Sequence, residues 1–226
     1  MRVDFHTHIL PKIDDGSADP AQSIAMLKME QEQGVDWVVL TSHFYANVES
    51  PREFLDRRAR SLQKLMELYD ESLPRMILGA EVQYFEGICG VEDIDSLKIE
   101  GTDLLLLEMP YRKWSEWVIQ EVLALQDREN TVVVLAHVDR YLHLMSESIQ
   151  RRLLDAGVLF QVNAFFLYDW RCCLQARKML RLNRVHFVGS DCHNLDSRCP
   201  DLHKAEKLIA QYGEYFRNDL LFQKAI

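Results

Sequence analysis

Seven short apolar runs are spaced along this 226-residue chain, and a polar side chain follows each of them. The runs cover residues 3–5, 37–41, 76–80, 104–107, 132–136, 159–162 and 187–189. Helix-like segments separate them, and strands that alternate with helices predict a parallel sheet, either open or closed into a barrel. No linker or low-complexity tract interrupts the pattern, so we predict one domain over residues 1–226.

The polar residues at the strand ends decide between the two kinds of sheet. In chain order they are His6 with His8, His43, Glu81, Glu108, His137, Asn163, and Asp191 with His193. A parallel β/α barrel brings the carboxyl ends of all its strands around one centre, whereas an open doubly wound sheet places its site at a switch point. We therefore predict an α/β fold with a closed, single-domain barrel.

Capping signals mark three helices between and after the strands. Asp19-Pro20 predicts a helix start that Gly34 ends, and Ser50-Pro51-Arg52-Glu53 is a capping box before an apolar helical face. The segment 202–212 has apolar residues at helical spacing and is followed by Gly213.

His6-Thr7-His8 is the strongest local indication of chemistry. Residues two apart in a strand point to the same face, so both imidazoles can bind one ion. Imidazole and carboxylate ligands without thiolate suit manganese, iron or zinc rather than a structural zinc site. The predicted metal ligands are His6, His8, Asp14, His43, Glu81, Glu108, His137, Asp191 and His193.

The charge balance and the absence of targeting signals narrow the class of protein. The net charge is -9, and the chain has no long basic run, which disfavours nucleic acid as a partner. No apolar stretch is long enough to span a bilayer, and Arg2 and Asp4 interrupt any signal-peptide pattern. Five cysteines without C-x-x-C spacing favour a reduced, cytoplasmic protein.

Longer motifs resemble those of the polymerase and histidinol phosphatase (PHP) superfamily. Within it the chain is similar to the manganese-dependent protein-tyrosine phosphatases of bacterial capsule and exopolysaccharide loci, the CpsB/YwqE type. The motifs are Asp4–His8, the Ile9-Leu10-Pro11-x-Ile13-Asp14-Asp15-Gly16 string, Thr41–His43, Gly79–Glu81, Leu107-Glu108, Ala136-His137, Asp139–Tyr141, Gln161–Ala164, Gly189–Asn194 and Arg198.

This resemblance implies a distorted seven-stranded TIM-like (β/α)7 barrel, the PHP fold, with three divalent metal ions. Manganese is favoured, with iron, cobalt or zinc as alternatives. The first metal would take His6, His8, Glu81 and Asp191; the second Glu81, Glu108 and His137; the third Asp14, His43 and His193. The implied reaction is hydrolysis of phosphotyrosine on the tail of a bacterial tyrosine kinase by a metal-activated water.

Two arginines are predicted to bind the phosphate. Arg140 and Arg198 follow the ligands His137 and His193, and a guanidinium offers two parallel donors to an oxyanion. The alternative for each is an ordinary surface ion pair. Cys192 and Arg198 also have the C-x5-R spacing of cysteine-dependent phosphatases, but the segment lacks glycine and contains carboxylates, which disfavours a thiolate nucleophile.

Several positions depart from the pattern of the similar group and leave the substrate open. These are Phe44, Val138-Asp139 and Phe165-Phe166. A small-molecule phosphatase of the histidinol-phosphate or nucleotide type and a non-catalytic kinase-binding regulator are the alternative functions. Residues 111–114 form either a substrate-facing loop or the start of a helix. We interpret His143, His186 and His203, which lie away from the strand ends, as ordinary histidines.

Overall fold

The computed structural model describes residues 1–222, in which nine strands and seven α-helices alternate along the chain. The strands are β1 (Val3–Thr7), β2 (Trp37–Leu40), β3 (His43–Phe44), β4 (Arg75–Leu78), β5 (Glu81–Gln83), β6 (Leu104–Glu108), β7 (Val132–Leu135), β8 (Leu159–Asn163) and β9 (Phe187–Gly189). The helices are α1 (Pro20–Glu32), α2 (Pro51–Met66), α3 (Glu116–Gln126), α4 (Glu147–Asp155), α5 (Ala164–Tyr168), α6 (Cys173–Arg181) and α7 (Glu206–Tyr212).

All strand pairs in the described chain are parallel, and they form two hydrogen-bonded sheets. One sheet has the order β1-β2-β4, and the other has the order β3-β5-β6-β7-β8-β9. All seven predicted strands are present. The strands predicted over 37–41 and 76–80 are shorter in the structure. After β2 and after β4, the chain steps from the first sheet into the second and continues there as β3 and as β5.

The two sheets are connected at two places. At the step, the chain runs directly from β2 into β3 and from β4 into β5, and the Gly79 N–H donates to the Leu40 carbonyl at 2.9 Å, which extends the β2–β4 ladder. On the other side, the Asp191 N–H donates to the His6 carbonyl at 2.8 Å, and the His8 N–H donates to the Cys192 carbonyl at 2.9 Å. The prediction of an α/β fold on a parallel sheet is confirmed, and the sheet is curved; closure into a full seven-stranded barrel stays a prediction.

Apolar side chains are buried on both sides of the curved sheet. The side that faces the helices packs against residues such as Met26, Phe54 and Val118. The opposite, concave side carries a separate buried cluster that we call the apolar floor. Its residues on the strands or directly after them are Val3, Phe5, Val39, Ile77, Leu104, Leu106, Val134, Ala136, Leu159 and Phe187. Burial of each large side chain contributes roughly 1.5–3 kcal/mol, so both clusters stabilise the frame that holds the strand ends.

The helix starts follow the capping signals in the sequence. The Asp19 carboxylate accepts a hydrogen bond from the Gln22 N–H at 2.9 Å, and α1 starts at Pro20. The capping box of α2 is formed. The late helix differs from the prediction, since residues 202–205 form a 3-10 turn and α7 starts only at Glu206. Within residues 1–222, none of the helices combines the length and apolar character needed to cross a bilayer.

Candidate functional site

The strands and the loops next to them bring all nine predicted metal ligands close together at one end of the curved sheet. We call these residues, together with Asp15, the strand-end cluster. His6 and His8 lie at the end of β1, His43 starts β3, and Glu81 starts β5. The other ligands follow from β6, β7, β9 and the loop before α1. They are Glu108, His137, Asp191, His193 and Asp14.

Glu81 is the centre of the cluster. One of its carboxylate oxygens, Oε2, lies 3.1 Å from His6 Nε2, 3.3 Å from His8 Nε2 and 3.1 Å from His43 Nδ1. The other oxygen, Oε1, lies 2.7 Å from His137 Nε2. The Glu81 side chain is 1% exposed. Four imidazoles around one buried carboxylate are an arrangement that suits a carboxylate shared between metal ions.

Three groups of side chains in the described chain have the proximity that a metal ion requires. In each group the possible ligand atoms lie within 4.8 Å of one another. The groups are His6, His8 and Glu81; His43, Glu81 and Glu108; and His8, Asp15, His43 and His193. Each combines imidazole nitrogens with carboxylate oxygens, which is a donor set for divalent cations.

Several buried polar atoms of the cluster form no hydrogen bond of acceptable geometry within the described residues, although charged neighbours lie close to them. They include His43 Nδ1, Glu81 Oε2 and His193 Nε2. A buried polar atom without a partner costs free energy, so such atoms are rare unless they bind something else. The three residues all belong to the metal-binding groups described above, and the donor set therefore fits bound divalent cations.

The two aspartates before α1 have different surroundings. The Asp14 Oδ2 atom lies 2.8 Å from His8 Nδ1 and accepts a hydrogen bond from the His43 N–H at 3.0 Å. The Asp15 Oδ1 atom lies 3.4 Å from both His43 Nε2 and His193 Nε2. Asp15 is not among the predicted ligands, and its position directly after Asp14 is the signal in the sequence that points to it.

A buried network of two side-chain amides orients several of the predicted ligands. Gln161 lies 3.2 Å from His6 Nδ1 through its Oε1 atom, which also accepts a hydrogen bond from the His137 N–H. The Gln161 amide donates to Asn163 Oδ1 at 3.1 Å, and Asn163 donates to Asp191 Oδ2 at 3.0 Å. Such partners fix the orientation of metal-binding imidazoles and carboxylates. The sequence placed Asn163 at a strand end but gave no role to Gln161.

Close backbone approaches fix the first strand against its neighbours. A Cβ atom at Gly189 would lie 2.5 Å from the Cβ atom of His6, and one at Gly16 would lie 2.2 Å from the His8 carbonyl oxygen. Only glycine allows these contacts. His137 and Asp191 adopt the left-handed backbone region, with φ of 30° and 57°. Such strained residues concentrate at functional sites, where the surrounding structure holds them.

Both predicted phosphate-binding arginines contact the cluster through the same carboxylate. Arg140 forms an ion pair with Asp191 Oδ2, and Arg198 forms one with Asp191 Oδ1 at 3.0 Å. Asp191 is 3% exposed, whereas the arginine side chains are 38% and 39% exposed. Each guanidinium therefore pairs with a buried carboxylate of the cluster while part of its side chain stays exposed, and its role in phosphate binding stays a prediction.

The electrostatic surroundings differ between neighbouring imidazoles. Burial lowers the pKa of His8, but its contacts with Asp14 and Glu81 outweigh this effect and raise the pKa to about 10. Burial and the nearby His8 lower the pKa of His193 to about 4. His193 is therefore neutral near pH 7 and offers a nitrogen lone pair, which is the form that binds metals.

Cys192 does not have the surroundings of a nucleophile. It is fully buried, and its Sγ atom lies 3.9 Å from Glu30 Oε1. Burial and the Glu30 carboxylate raise the pKa of this thiol well above its usual range. A reactive thiolate needs positive and partly exposed surroundings, so the structure disfavours the cysteine mechanism that the C-x5-R spacing suggested.

The departures from the family pattern fall mostly in the core. Phe44 is 2% exposed and packs edge-on against Phe54, with ring centroids 5.6 Å apart. Val138 and Phe166 are buried as well. Phe165 differs, since it is 44% exposed beside the strand-end cluster. Of these apolar departures, Phe165 is therefore the one with access to a substrate.

The segment 111–114 is exposed in part and lies near His137. Tyr111 is 71% exposed, and its ring centroid lies 6.3 Å from that of Tyr141, which lies 5.7 Å from the His137 ring. Trp114, which lies just before α3, is buried, and its indole N–H donates to the Pro110 carbonyl. The segment thus leads into a helix while exposing one aromatic ring. His143, His186 and His203 are absent from the three metal-binding groups in residues 1–222.

Two cavities flank the strand-end cluster. The first, which we call the aromatic cavity, has a volume of about 490 Å³. Its lining includes Arg140, Asn163, Phe165, Tyr168, Arg198 and Lys204, together with the carboxylates Asp139, Asp191, Asp196 and Asp201. The second, which we call the α2 cavity, has a volume of about 810 Å³, and its lining includes Asp15, His43, Tyr45, Val48, Glu49 and Arg57. A substrate can therefore reach the cluster from either side.

Comparisons with known proteins agree with the resemblance found in the sequence. The family described as capsular polysaccharide synthesis, CpsB/CapC, matches residues 2–226. The tyrosine-protein phosphatase CpsB of Streptococcus pneumoniae is 29% identical over 228 residues, covering 93% of this chain and 91% of that protein. The tyrosine-protein phosphatase YwqE of Bacillus subtilis (strain 168) is 27% identical over 219 residues, covering 94% and 85%.

A solved structure has the same fold. It is described as belonging to YwqE from Bacillus subtilis and CpsB from Streptococcus pneumoniae, "unique metal-dependent tyrosine phosphatases". The TM-score is 0.77 at 22% sequence identity, and the match covers 99% of this chain and 91% of the other. The predicted family resemblance is confirmed.

Proposed function

Because this chain belongs to the CpsB/CapC family, we propose that it is a divalent-metal-dependent phosphatase that hydrolyses phosphotyrosine in proteins. One observation supports this most strongly: a buried carboxylate, Glu81, lies among four imidazoles, and two accessible arginines border the same cluster. Phosphate esters are dianions, and their hydrolysis requires charge neutralisation together with an activated water.

We propose three cations, with manganese favoured over iron, cobalt or zinc, held by the nine ligands in the predicted sets. His6, His8, Glu81 and Asp191 would hold the first; Glu81, Glu108 and His137 the second; Asp14, His43 and His193 the third. When bound, the cations supply positive charge for the phosphate oxygens and acidify a water for attack. The proximity of Asp15 to His43 and His193 supports a further carboxylate for the third set.

The chain's own side chains bind and orient around this centre. Arg140 and Arg198 would donate to the phosphate oxygens, since a guanidinium matches an oxyanion with two parallel N–H groups. Asp191 fixes both arginines at the edge of the cluster. Gln161 holds the His6 ring, and Asp14 contacts His8 Nδ1, which leaves each Nε2 atom directed at Glu81.

We further propose that the phosphotyrosine belongs to the tail of a bacterial tyrosine kinase that regulates capsule or exopolysaccharide synthesis. The family's description and the names of the relatives support this. We also propose that the curved sheet closes as a (β/α)7 barrel. The parallel bridge between Thr7 and Cys192, which links the end of β1 to the segment after β9, supports closure.

Initial rates with added manganese on three substrates test the function. We expect kcat/KM for a phosphotyrosine peptide to exceed that for histidinol phosphate and for a phosphoserine peptide by about tenfold or more, a difference of roughly 1.4 kcal/mol in transition-state binding. A preference for histidinol phosphate would instead support a small-molecule phosphatase. No turnover of any substrate by the metal-loaded protein would support a non-catalytic regulator.

A further inference from the structure

The aromatic cavity combines two features that an aryl phosphate needs. Arg140 and Arg198 line it on the side of the strand-end cluster, and the rings of Phe165 and Tyr168 line it on the side of α5. The α2 cavity is lined by two other arginines, Arg57 and Arg60, and Arg57 is already paired with Glu49. A phosphate held by Arg140 and Arg198 would place its ester group in the aromatic cavity.

The short helix α5 places two consecutive phenylalanines in different surroundings. Phe166 is 3% exposed and packs into the core, whereas Phe165 is 44% exposed. The Phe165 ring meets the Tyr168 ring edge-on, with centroids 5.5 Å apart and an angle of 79° between the rings. An exposed phenylalanine that a neighbouring ring already orients can receive a second ring without losing much side-chain freedom.

Charged neighbours hold this aromatic wall in place. The Tyr168 hydroxyl donates to Asp201 Oδ2 at 2.7 Å, and the Lys204 Nζ atom lies 5.4 Å from the centroid of the Tyr168 ring. The Arg171 guanidinium carbon lies 5.8 Å from the centroid of the Phe165 ring. Cations over aromatic faces are stabilising, so both rings are restrained before any ligand binds.

We propose that the aromatic cavity binds the aryl ring of the substrate and that Phe165 is the residue that selects aryl over alkyl phosphates. This inference rests on the proposed phosphatase function and adds a side-chain basis for its specificity. Arg140 and Arg198 bind the phosphate whatever the ester group, whereas Phe165 packs against the ring that only an aryl ester carries.

The inhibition constants of two phosphonates test this assignment without turnover of the probe. Phenylphosphonate carries a ring, and methylphosphonate carries the same headgroup without one. In Phe165→Ala the preference for phenylphosphonate, expressed as the ratio of the two inhibition constants, should fall roughly threefold to tenfold, the range of an aromatic pair. Phe165→Tyr should keep the preference, because it restores the ring.

Val48→Ala is the matched control in the other cavity. Val48 lines the α2 cavity and is 72% exposed. The phosphonate ratio should be the same in Val48→Ala as in wild type. A ratio that falls in Val48→Ala but not in Phe165→Ala would place the ring in the α2 cavity and overturn the proposal. An unchanged ratio in both variants would overturn it as well.

The same assay separates this inference from the function on which it rests. Wild type that hydrolyses phosphotyrosine peptide while Phe165→Ala keeps the wild-type phosphonate ratio contradicts only the role of Phe165. Wild type that binds both phosphonates but hydrolyses no phosphotyrosine peptide contradicts the proposed function. Metal content, measured in each variant by mass spectrometry, must equal that of wild type for the comparison to count.

Discussion

The concave side of the curved sheet is apolar at its floor and polar at its strand ends, although the same strands build both regions. On β6 the residues Leu104 and Leu106 belong to the apolar floor, and the next residue on that face is Glu108. On β8, Leu159 belongs to the floor and Gln161 to the amide network. The side-chain period of two makes this division possible within single strands.

The two regions differ in what holds them together. The apolar floor is stabilised by burial of its own side chains, as in the Phe5 and Phe187 rings, which stack with centroids 3.9 Å apart. The strand-end cluster instead buries carboxylates, imidazoles and atoms without hydrogen-bond partners in the described chain. Burying such groups costs free energy unless a ligand binds them. The apolar floor therefore stabilises the fold, whereas the strand-end cluster provides the groups that bind a ligand.

Removing a ligand from the cluster should give the largest effect on activity. His6→Ala should lower kcat/KM about a thousandfold, because lost metal charge is worth several kcal/mol in the transition state. The fold should remain, since β1 still packs through Val3 and Phe5. Metal content and turnover are measured together. His203→Ala, an exposed histidine outside the cluster, is the control and should match wild type. Full activity and metal content in His6→Ala would refute the ligand assignment.

Removing a ring from the apolar floor should lower stability while leaving metal binding unchanged. Phe5→Ala should lower the free energy of unfolding by roughly 3–5 kcal/mol, as for other large-to-small changes in a core, while the folded fraction keeps its metal. Urea denaturation at fixed manganese measures the loss. Trp170→Ala, at 81% exposure, is the control and should change stability by about 0.5 kcal/mol or less. Equal losses in the two variants would show that the floor does not stabilise the fold.

The arginines should show an effect on activity that is smaller than that of a ligand. Arg140→Ala and Arg198→Ala should each lower kcat/KM about tenfold to a hundredfold without loss of metal, because charge-assisted hydrogen bonds contribute roughly 1.5–3 kcal/mol. Replacing either arginine by lysine should restore little of the lost kcat/KM. Arg151→Ala removes an exposed arginine whose ion pair in the described chain is with Glu147 of the same helix, and this variant should have no effect on kcat/KM. Unchanged kcat/KM and unchanged phosphate inhibition in both site variants would leave phosphate binding to the cations alone.

Cys192→Ser should have the smallest effect. Its thiol lies 3.9 Å from Glu30 and, among the described residues, forms no hydrogen bond with Arg140 or Arg198, so kcat/KM should change less than about threefold, since no transition-state interaction is removed. Steady-state rates of variant and wild type at equal metal content provide the comparison. A loss of turnover with metals intact would revive the cysteine mechanism.

The sequence was sufficient for the features that depend on short stretches of chain. Each strand is an apolar run, and each predicted ligand lies at or directly after the end of its run, so periodicity and spacing located them. The helix starts at Pro20 and Pro51 follow from local capping groups in the same way. Local rules did not reveal the short strands β3 and β5, which follow two of the runs and belong to the other sheet, because the step depends on pairing between distant segments.

The remaining features depend on which way a side chain turns within the fold. Gln161 contacts His6, a residue 155 positions away, and nothing near it in the chain indicates this role. Asp14 and Asp15 are adjacent and chemically identical, yet one contacts His8 and the other approaches His193. Likewise, Phe165 and Phe166 differ only in the face of α5 that each occupies. Such distinctions arise from tertiary packing, which a single sequence does not specify.

Metal removal and return test the central claim most directly, namely that the strand-end cluster binds the cations on which phosphatase activity depends. Wild-type protein is treated with a chelator, titrated with manganese, and assayed for bound metal and for turnover of a phosphotyrosine peptide at each step. The metal-free protein should be inactive, and turnover should rise with bound manganese to the starting rate. Full turnover by protein shown to be metal-free would contradict the account.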